Sequence, residues 1–285
     1  MEPLAGSGCE FVQPENELKS NAEIERALIC DFRKIAWTPF AKAIREYRLV
    51  NEGDSVAVAV SGGKDSTIMA KLMQELHRHS RVKFDLHFIS LDPGFNRPNL
   101  ELLKNNCSHL EIDTHIFNRE LFNVVDNIAR DYPCYMCARM RRGALYASAK
   151  ELGCNKVSLG HHFDDVIETI MLNVLCAGKY QTMMPKLKST NFENMELIRP
   201  MYYIREDDIK QIASWCGIRA MNCGCIIAAE KTSSKRLEIK KLIKTLGKTF
   251  RDVDKSIFQS SRNVFQDAII EWVNGDERKS FLDEY

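Results

Sequence analysis

Three short stretches of this sequence place reactive side chains at spacings that suit chemistry. In the first, Ser61, Gly62, Gly63, Lys64, Asp65 and Ser66 follow an apolar run at 55–60 and precede apolar residues at helical spacing. Glycines let a backbone approach phosphate oxygens, a helix start offers free N–H groups and a positive dipole end, and Lys64 adds a cation. The stretch reads as a phosphate site. The plainer alternative is a glycine-rich turn from strand to helix. The pattern GxxxxGK(S/T) does not occur, which disfavours transfer of a γ-phosphoryl group.

The second stretch is Gly160, His161, His162, Phe163, Asp164 and Asp165. Adjacent carboxylates can hold Mg²⁺ against phosphates, and they also serve as ordinary helix N-caps. The third is Cys134 and Cys137, three apart and just ahead of an expected helix, with Cys223 and Cys225 about ninety residues later. Four thiolates would make a closed structural zinc site, and three on a 4Fe-4S cluster would leave one iron open for chemistry. The bland reading is four buried small hydrophobes.

The elements that must position these residues follow from apolar periodicity. Residues 1–20 carry turn formers and acids and read as a loose tail. Residues 21–50 form a helical lead-in, with Pro39 expected to interrupt it. Strands are expected at 55–60, 84–91, 110–117, 156–159 and 196–201, alternating with helices at about 138–152, 164–175 and 206–216. Alternation of this kind implies an α/β fold, a Rossmann-like open and mostly parallel sheet with helices on both faces. In such sheets ligands gather at the carboxyl ends of the strands, so the loops after 60 and 159 should face each other. Residues 51–205 are expected to form the nucleotide-binding α/β domain, and 206–285 a helical C-terminal extension.

Composition bounds the rest. At 285 residues, 45% apolar and 28% charged, the chain has enough apolar content for a sizeable core. No apolar run approaches a membrane-spanning length and the N-terminus lacks a secretory pattern, so a cytoplasmic protein without membrane contact is expected. Ten cysteines in a reducing compartment point to metal or redox chemistry over disulfides. Net charge is only +1, yet eight basic residues lie between Lys231 and Arg251 against the single acid Glu238. That helix, with Lys240, Lys241 and Lys244, is expected to meet nucleic-acid phosphates.

The string at 61–66 after an apolar strand resembles the PP-loop superfamily, whose members cleave ATP between the α and β phosphates. Together with CYMCARMRRGALY at 134, LGHHFDD at 159, GK at 178, MPKL at 184, IRP at 198 and the late cysteine pair, it resembles the tRNA 2-thiocytidine synthetase family. The likeness spans about residues 30–250. It implies a homodimer that uses ATP, Mg²⁺ and a three-cysteine 4Fe-4S cluster to replace the 2-oxygen of a tRNA cytidine with sulfur from sulfide or a persulfide carrier. Carried over by position, Ala59, Ser61 to Ser66, Ile89, Gly160 and Asp165 would hold ATP. Lys64, Arg141 and Asp165 would act in catalysis, and Cys134 and Cys137 would bind the cluster. Where many members carry Cys-x-x-Cys, this chain has Cys223-Gly224-Cys225, and Cys225 is the expected third ligand. Terminal zinc-finger cysteine pairs of the related thiouridine enzymes are missing, which speaks against thiouridine. The rival readings are a lysidine-type ligase with structural zinc, a sulfur-removing enzyme using the same cluster, and a nucleotide- or RNA-binding regulator.

Overall fold

The computed structural model describes residues 16–118, 133–221 and 233–283. Its centre is β1, Ser55–Ala59, whose small and β-branched residues are buried on both faces as a parallel inner strand requires. Val56 and Val58 face one way, against Ile68 and Met69 of α3 (Lys64–His79) and Val166 of α6 (Phe163–Ala177). Ala57 faces the other way, against Tyr146 and Ala149 of α5 (Pro133–Glu151). Helices therefore cover both faces.

Strands β2 (Asp85–Asp92), β3 (Thr114–Asn118), β4 (Lys156–Ser158), β5 (Lys186–Lys188) and β6 (Glu196–Ile198) complete a six-stranded sheet in the order β3-β2-β1-β4-β6-β5. Every pairing is parallel except β5 with β6. The chain winds outward from β1 to β3 and then returns to β4 on β1's other side. The crevice between the carboxyl ends of β1 and β4 is thus the topological switch point, where open α/β sheets bind ligands.

Several boundaries differ from the sequence reading for identifiable reasons. The lead-in is two helices, α1 (Asn21–Ile29) and α2 (Trp37–Glu46), and Pro39 lies in the first turn of α2, where its missing N–H costs nothing. α4 (Arg97–His109) is followed by Glu111 at φ +53° and a turn in which the Ile112 N–H donates to Cys107 O, so β3 begins only at Thr114. β6 stops at Ile198, two residues before Pro200, which has no N–H for a ladder. α5 begins at Pro133, so Cys134 and Cys137 lie inside its first turns instead of ahead of it. After α7 (Glu206–Cys216), α8 (Ser233–Thr249) and α9 (Val253–Ser260), the C-terminal extension adds a hairpin of β7 (Glu271–Asn274) and β8 (Glu277–Ser280).

Candidate active site

The loop after β1 is shaped by two serines and one left-handed glycine. Ser66 Oγ accepts from the Ser61 N–H at 3.1 Å and donates to Gly63 O at 2.9 Å, folding the loop over the start of α3. Gly62 sits at φ +81°, a conformation other residues rarely adopt. Its carbonyl accepts the Met221 N–H at 2.8 Å, and a Cβ there would run into the Met221 thioether. Gly63 is the N-cap of α3 and no side chain among the described residues caps that helix, so its first N–H groups stay available to an anion. Lys64 is held in the site, 8% exposed, with Nζ 3.1 Å from Asp65 Oδ2. Asp65 Oδ1 is buried without a hydrogen-bond partner among the described residues, which fits a group awaiting a cation or a bound ligand. The donor set suits ATP with Mg²⁺.

The second loop meets the first through Gly160. A Cβ at Gly160 would lie 3.2 Å from Asp65 C and Ser66 N, tight enough that a side chain there would push the two backbones apart by a few tenths of an ångström. Beyond it, Asp165 accepts the His162 N–H at 3.0 Å and lies 3.5 Å from His162 Nε2 and from Arg236 Nη2. Burial would raise the Asp165 carboxyl, but His162, His161 and Arg236 together hold it below the usual range. Asp164 has another task. Its Oδ2 accepts the Glu206 N–H at 2.7 Å and so caps α7.

Two buried charged residues that the sequence did not single out complete the surroundings. Glu206 Oε2 lies 2.6 Å from Lys240 Nζ and 3.5 Å from Lys210 Nζ, and its Oε1 lies 3.8 Å from Lys64 Nζ. Burial would raise this carboxyl, but the Lys240 hydrogen bond and the three ammonium charges hold it low. In sequence it is only one of three acids in the first turn of an amphipathic helix, which is ordinary dipole compensation. Arg199, 7% exposed, donates from Nε to His161 Nδ1 at 3.3 Å and from Nη1 to Met184 O. Burial lowers Arg199 to about 10, and burial with the neighbouring cations lowers His161 to about 4, so His161 is neutral near pH 7. Its partner fixes the tautomer with the proton on Nε2. The IRP string at 198 was the only sign of Arg199.

Ala59 pairs with Ile89 across β1 and β2, and the Val60 N–H donates to Ile89 O at 2.8 Å, which keeps the two strands paired up to the start of the phosphate loop. Arg141 lies in α5, two turns from Pro133 and partly buried. The side chains of Cys134 and Cys137, and all of Cys225, lie outside the described residues. Among the described residues no group of three or more metal-binding side chains occurs, and no helix is long and apolar enough to cross a membrane. The basic helix α8 is only partly turned outward. Arg236 binds Glu168 at 2.8 Å and Lys240 binds Glu206, so neither stands free toward solvent.

Comparison with known families decides the assignment, because the PP-loop domain profile ATP_bind_3 matches residues 37–222. The chain belongs to the PP-loop family. Among relatives of this PP-loop protein, the tRNA-cytidine(32) 2-sulfurtransferase of Syntrophotalea carbinolica is 35% identical over 82% of this chain and 90% of its own length. Those of Pelobacter propionicus and Cellvibrio japonicus are 33% and 34% identical over 78% of this chain, covering 83% and 73% of theirs. In structure, the U34-tRNA thiolase NcsA from Methanococcus maripaludis with its 4Fe-4S cluster superposes with a TM-score of 0.64 at 23% identity. That match covers 79% of this chain and 76% of NcsA. It bears out the open parallel sheet with helices on both faces.

Proposed function

We propose that this PP-loop protein is an ATP-dependent tRNA thiolase that replaces a cytidine 2-oxygen with sulfur. The observation that carries the reading is the contact of the two signature loops at the switch point, where Gly160 abuts Asp65 and Ser66. The relatives named as tRNA-cytidine(32) 2-sulfurtransferases support the substrate. When bound, ATP would supply an adenylyl group that turns the base oxygen into a leaving group, and a 4Fe-4S cluster would supply an open iron on which the donor's sulfur is held.

The chain's own residues do the binding and the charge compensation. The uncapped start of α3, Gly62 and Gly63 receive pyrophosphate oxygens, and Lys64 neutralises them. Asp65, through its unpartnered Oδ1, and Asp165 are the carboxylates proposed to face Mg²⁺, while Asp164 caps α7. Ala59 and Ile89 border the nucleotide through backbone, and Arg141 steadies negative charge at the reacting phosphate. Neutral His161 accepts from Arg199 at Nδ1, which leaves the Nε2–H as a donor for a bound group at the same crevice. Cys134, Cys137 and Cys225 are the proposed cluster ligands. Sulfide is the donor, taken directly or released from a persulfide carrier by a second thiol that is oxidised to a disulfide, the working unit is a homodimer, and the setting is the cytoplasm. Residues 51–205 form the ATP-binding body and 206–285 an extension that seals it. Lys241, Lys244 and Lys248, on the stretch of α8 beyond the ion pairs, meet tRNA phosphates.

Protein purified without oxygen, given unmodified tRNA, Mg-ATP and sulfide, should release AMP and pyrophosphate and yield 2-thiocytidine on nucleoside analysis. AMP release with the tRNA cytidines unchanged would favour a ligase instead.

A further inference from the structure

We propose that Glu206 is a positioning residue through which nucleotide binding strengthens the docking of helix α8. The inference rests on the reading that Lys64 receives the phosphates. Glu206 is 9% exposed and anchored from behind, because its N–H is fixed by Asp164 of the second signature loop. Its carboxylate is shared among Lys64 at 3.8 Å, Lys210 at 3.5 Å and Lys240 at 2.6 Å. These come from three helices: the phosphate helix α3, Glu206's own helix α7, and α8. One buried charge therefore belongs to the nucleotide site and to α8 together.

A polyphosphate entering the loop competes with Glu206 and Asp65 for Lys64 and wins on charge. Glu206 then has fewer cations and a new anion nearby, in surroundings where charges are weakly screened. The ion pair with Lys240 becomes worth more. One turn earlier on α8, Arg236 reaches Asp165 and Glu168, so the docking edge is held by two cations against the same crevice. α8 is the helix that resumes the chain after the segment carrying Cys223 and Cys225, and Met221 on the other side of that segment is bonded to Gly62. Tightening α8 with nucleotide present secures the exit of the segment whose entry already touches the phosphate loop. Linkage makes the effect mutual, so RNA that pulls Lys240 off Glu206 weakens nucleotide binding by the same factor.

The test is amide hydrogen exchange across 233–249 in the full-length protein, with and without Mg²⁺ and an α,β-methylene ATP analogue, which cannot be cleaved at the proposed bond. Nucleotide should slow exchange in wild type by roughly fivefold or more, the lower end of usual coupling strengths. In Glu206→Gln the analogue should still bind, and the slowing should shrink below about twofold. Lys240→Gln leaves Glu206 and Lys64 in place and should lose the slowing in the same way, which covers the case that Glu206→Gln folds poorly. A merely structural ion pair would lower thermal stability yet leave the nucleotide-dependent difference intact. Equal slowing in either folded variant, or bound analogue with no change in wild-type α8, overturns the proposal while leaving the PP-loop reading standing. Failure of wild type to bind the analogue removes both.

Discussion

The Met221 N–H donates to Gly62 O at 2.8 Å, which joins the left-handed turn of the phosphate loop to the stretch that follows α7. Gly62→Ala should therefore damage two things together. A Cβ would be forced both into a conformation costing about 1–3 kcal/mol and into the Met221 side chain. Unfolding midpoints should fall and nucleotide binding should be lost. Adding Met221→Ala should recover part of the stability, the steric part, and none of the binding. Full recovery of both would show that the backbone conformation of Gly62 is unimportant.

Lys64→Ala and Asp65→Ala should reduce AMP and pyrophosphate formation by at least about a hundredfold, the scale of removing one preorganised charge from a reacting phosphate. Far-ultraviolet circular dichroism should be unchanged. Normal turnover in either variant, measured as pyrophosphate release, would contradict the assignment of the loop.

Cysteine variants separate chemistry from architecture. Oxygen-free protein should carry about four iron atoms per chain. Cys134→Ala and Cys137→Ala should lose iron and thiolation while binding ATP, since the phosphate loop comes from a different segment. Cys225→Ala should behave likewise and Cys223→Ala should be silent. Iron lost in both of the last two would indicate four thiolates. Stoichiometric zinc without iron would favour the ligase.

Acid should destabilise the fold in a window set by His161. Its pKa falls from an ordinary value near 6.5 to about 4 in the folded protein. Between those values the unfolded chain binds a proton that the native one refuses, so stability drops as pH falls from 6.5 toward 4. Asp165 and Glu206, both held low, add a loss that sets in as pH falls into the usual carboxylate range and is complete only below their lowered folded values. Urea unfolding of His161→Gln should lose less stability between pH 7 and 5 than wild type. A parallel decline in both would place the source of the acid sensitivity elsewhere.

Reversing Lys241, Lys244 and Lys248 should weaken tRNA binding and flatten its salt dependence by about one logarithmic slope unit per lost phosphate contact. Including Lys240 would confuse the result, because its ammonium already serves Glu206. Binding curves at two salt concentrations suffice. Unchanged affinity and slope would make that face merely solvated.

Much of this was legible in advance, and for physical reasons. The doubly buried β1 and the glycine loop after it declare themselves through composition, and alternation of elements leads directly to a parallel sheet and its switch point. Strand ends at 110–113 and 199–201 were overread, because apolar residues continue past the places where a left-handed Glu111 and then Pro200 stop the ladder. Glu206 and Arg199 were not legible as site residues. Their significance lies in partners 142 residues upstream for Glu206 with Lys64 and 38 upstream for Arg199 with His161, a relation that no local pattern encodes. The basic helix was legible as a charge cluster, but not which of its cations turn inward.

The hydrogen bond from the Glu206 N–H to Asp164 Oδ2 bears on how far this machinery can be taken apart. Residues 1–205 contain the first two signature strings and the first cysteine pair, and look like a transplantable cassette. Yet in such a fragment Asp164 would lose the helix start it caps, Lys64 its distant carboxylate and Gly62 its Met221 partner. The second signature string is thus oriented by a part of the chain that carries none of its own letters. A chimera joining this phosphate loop to another protein's C-terminal half would preserve the motifs and forfeit the geometry, unless the helix replacing α7 offered an N–H at the same spot.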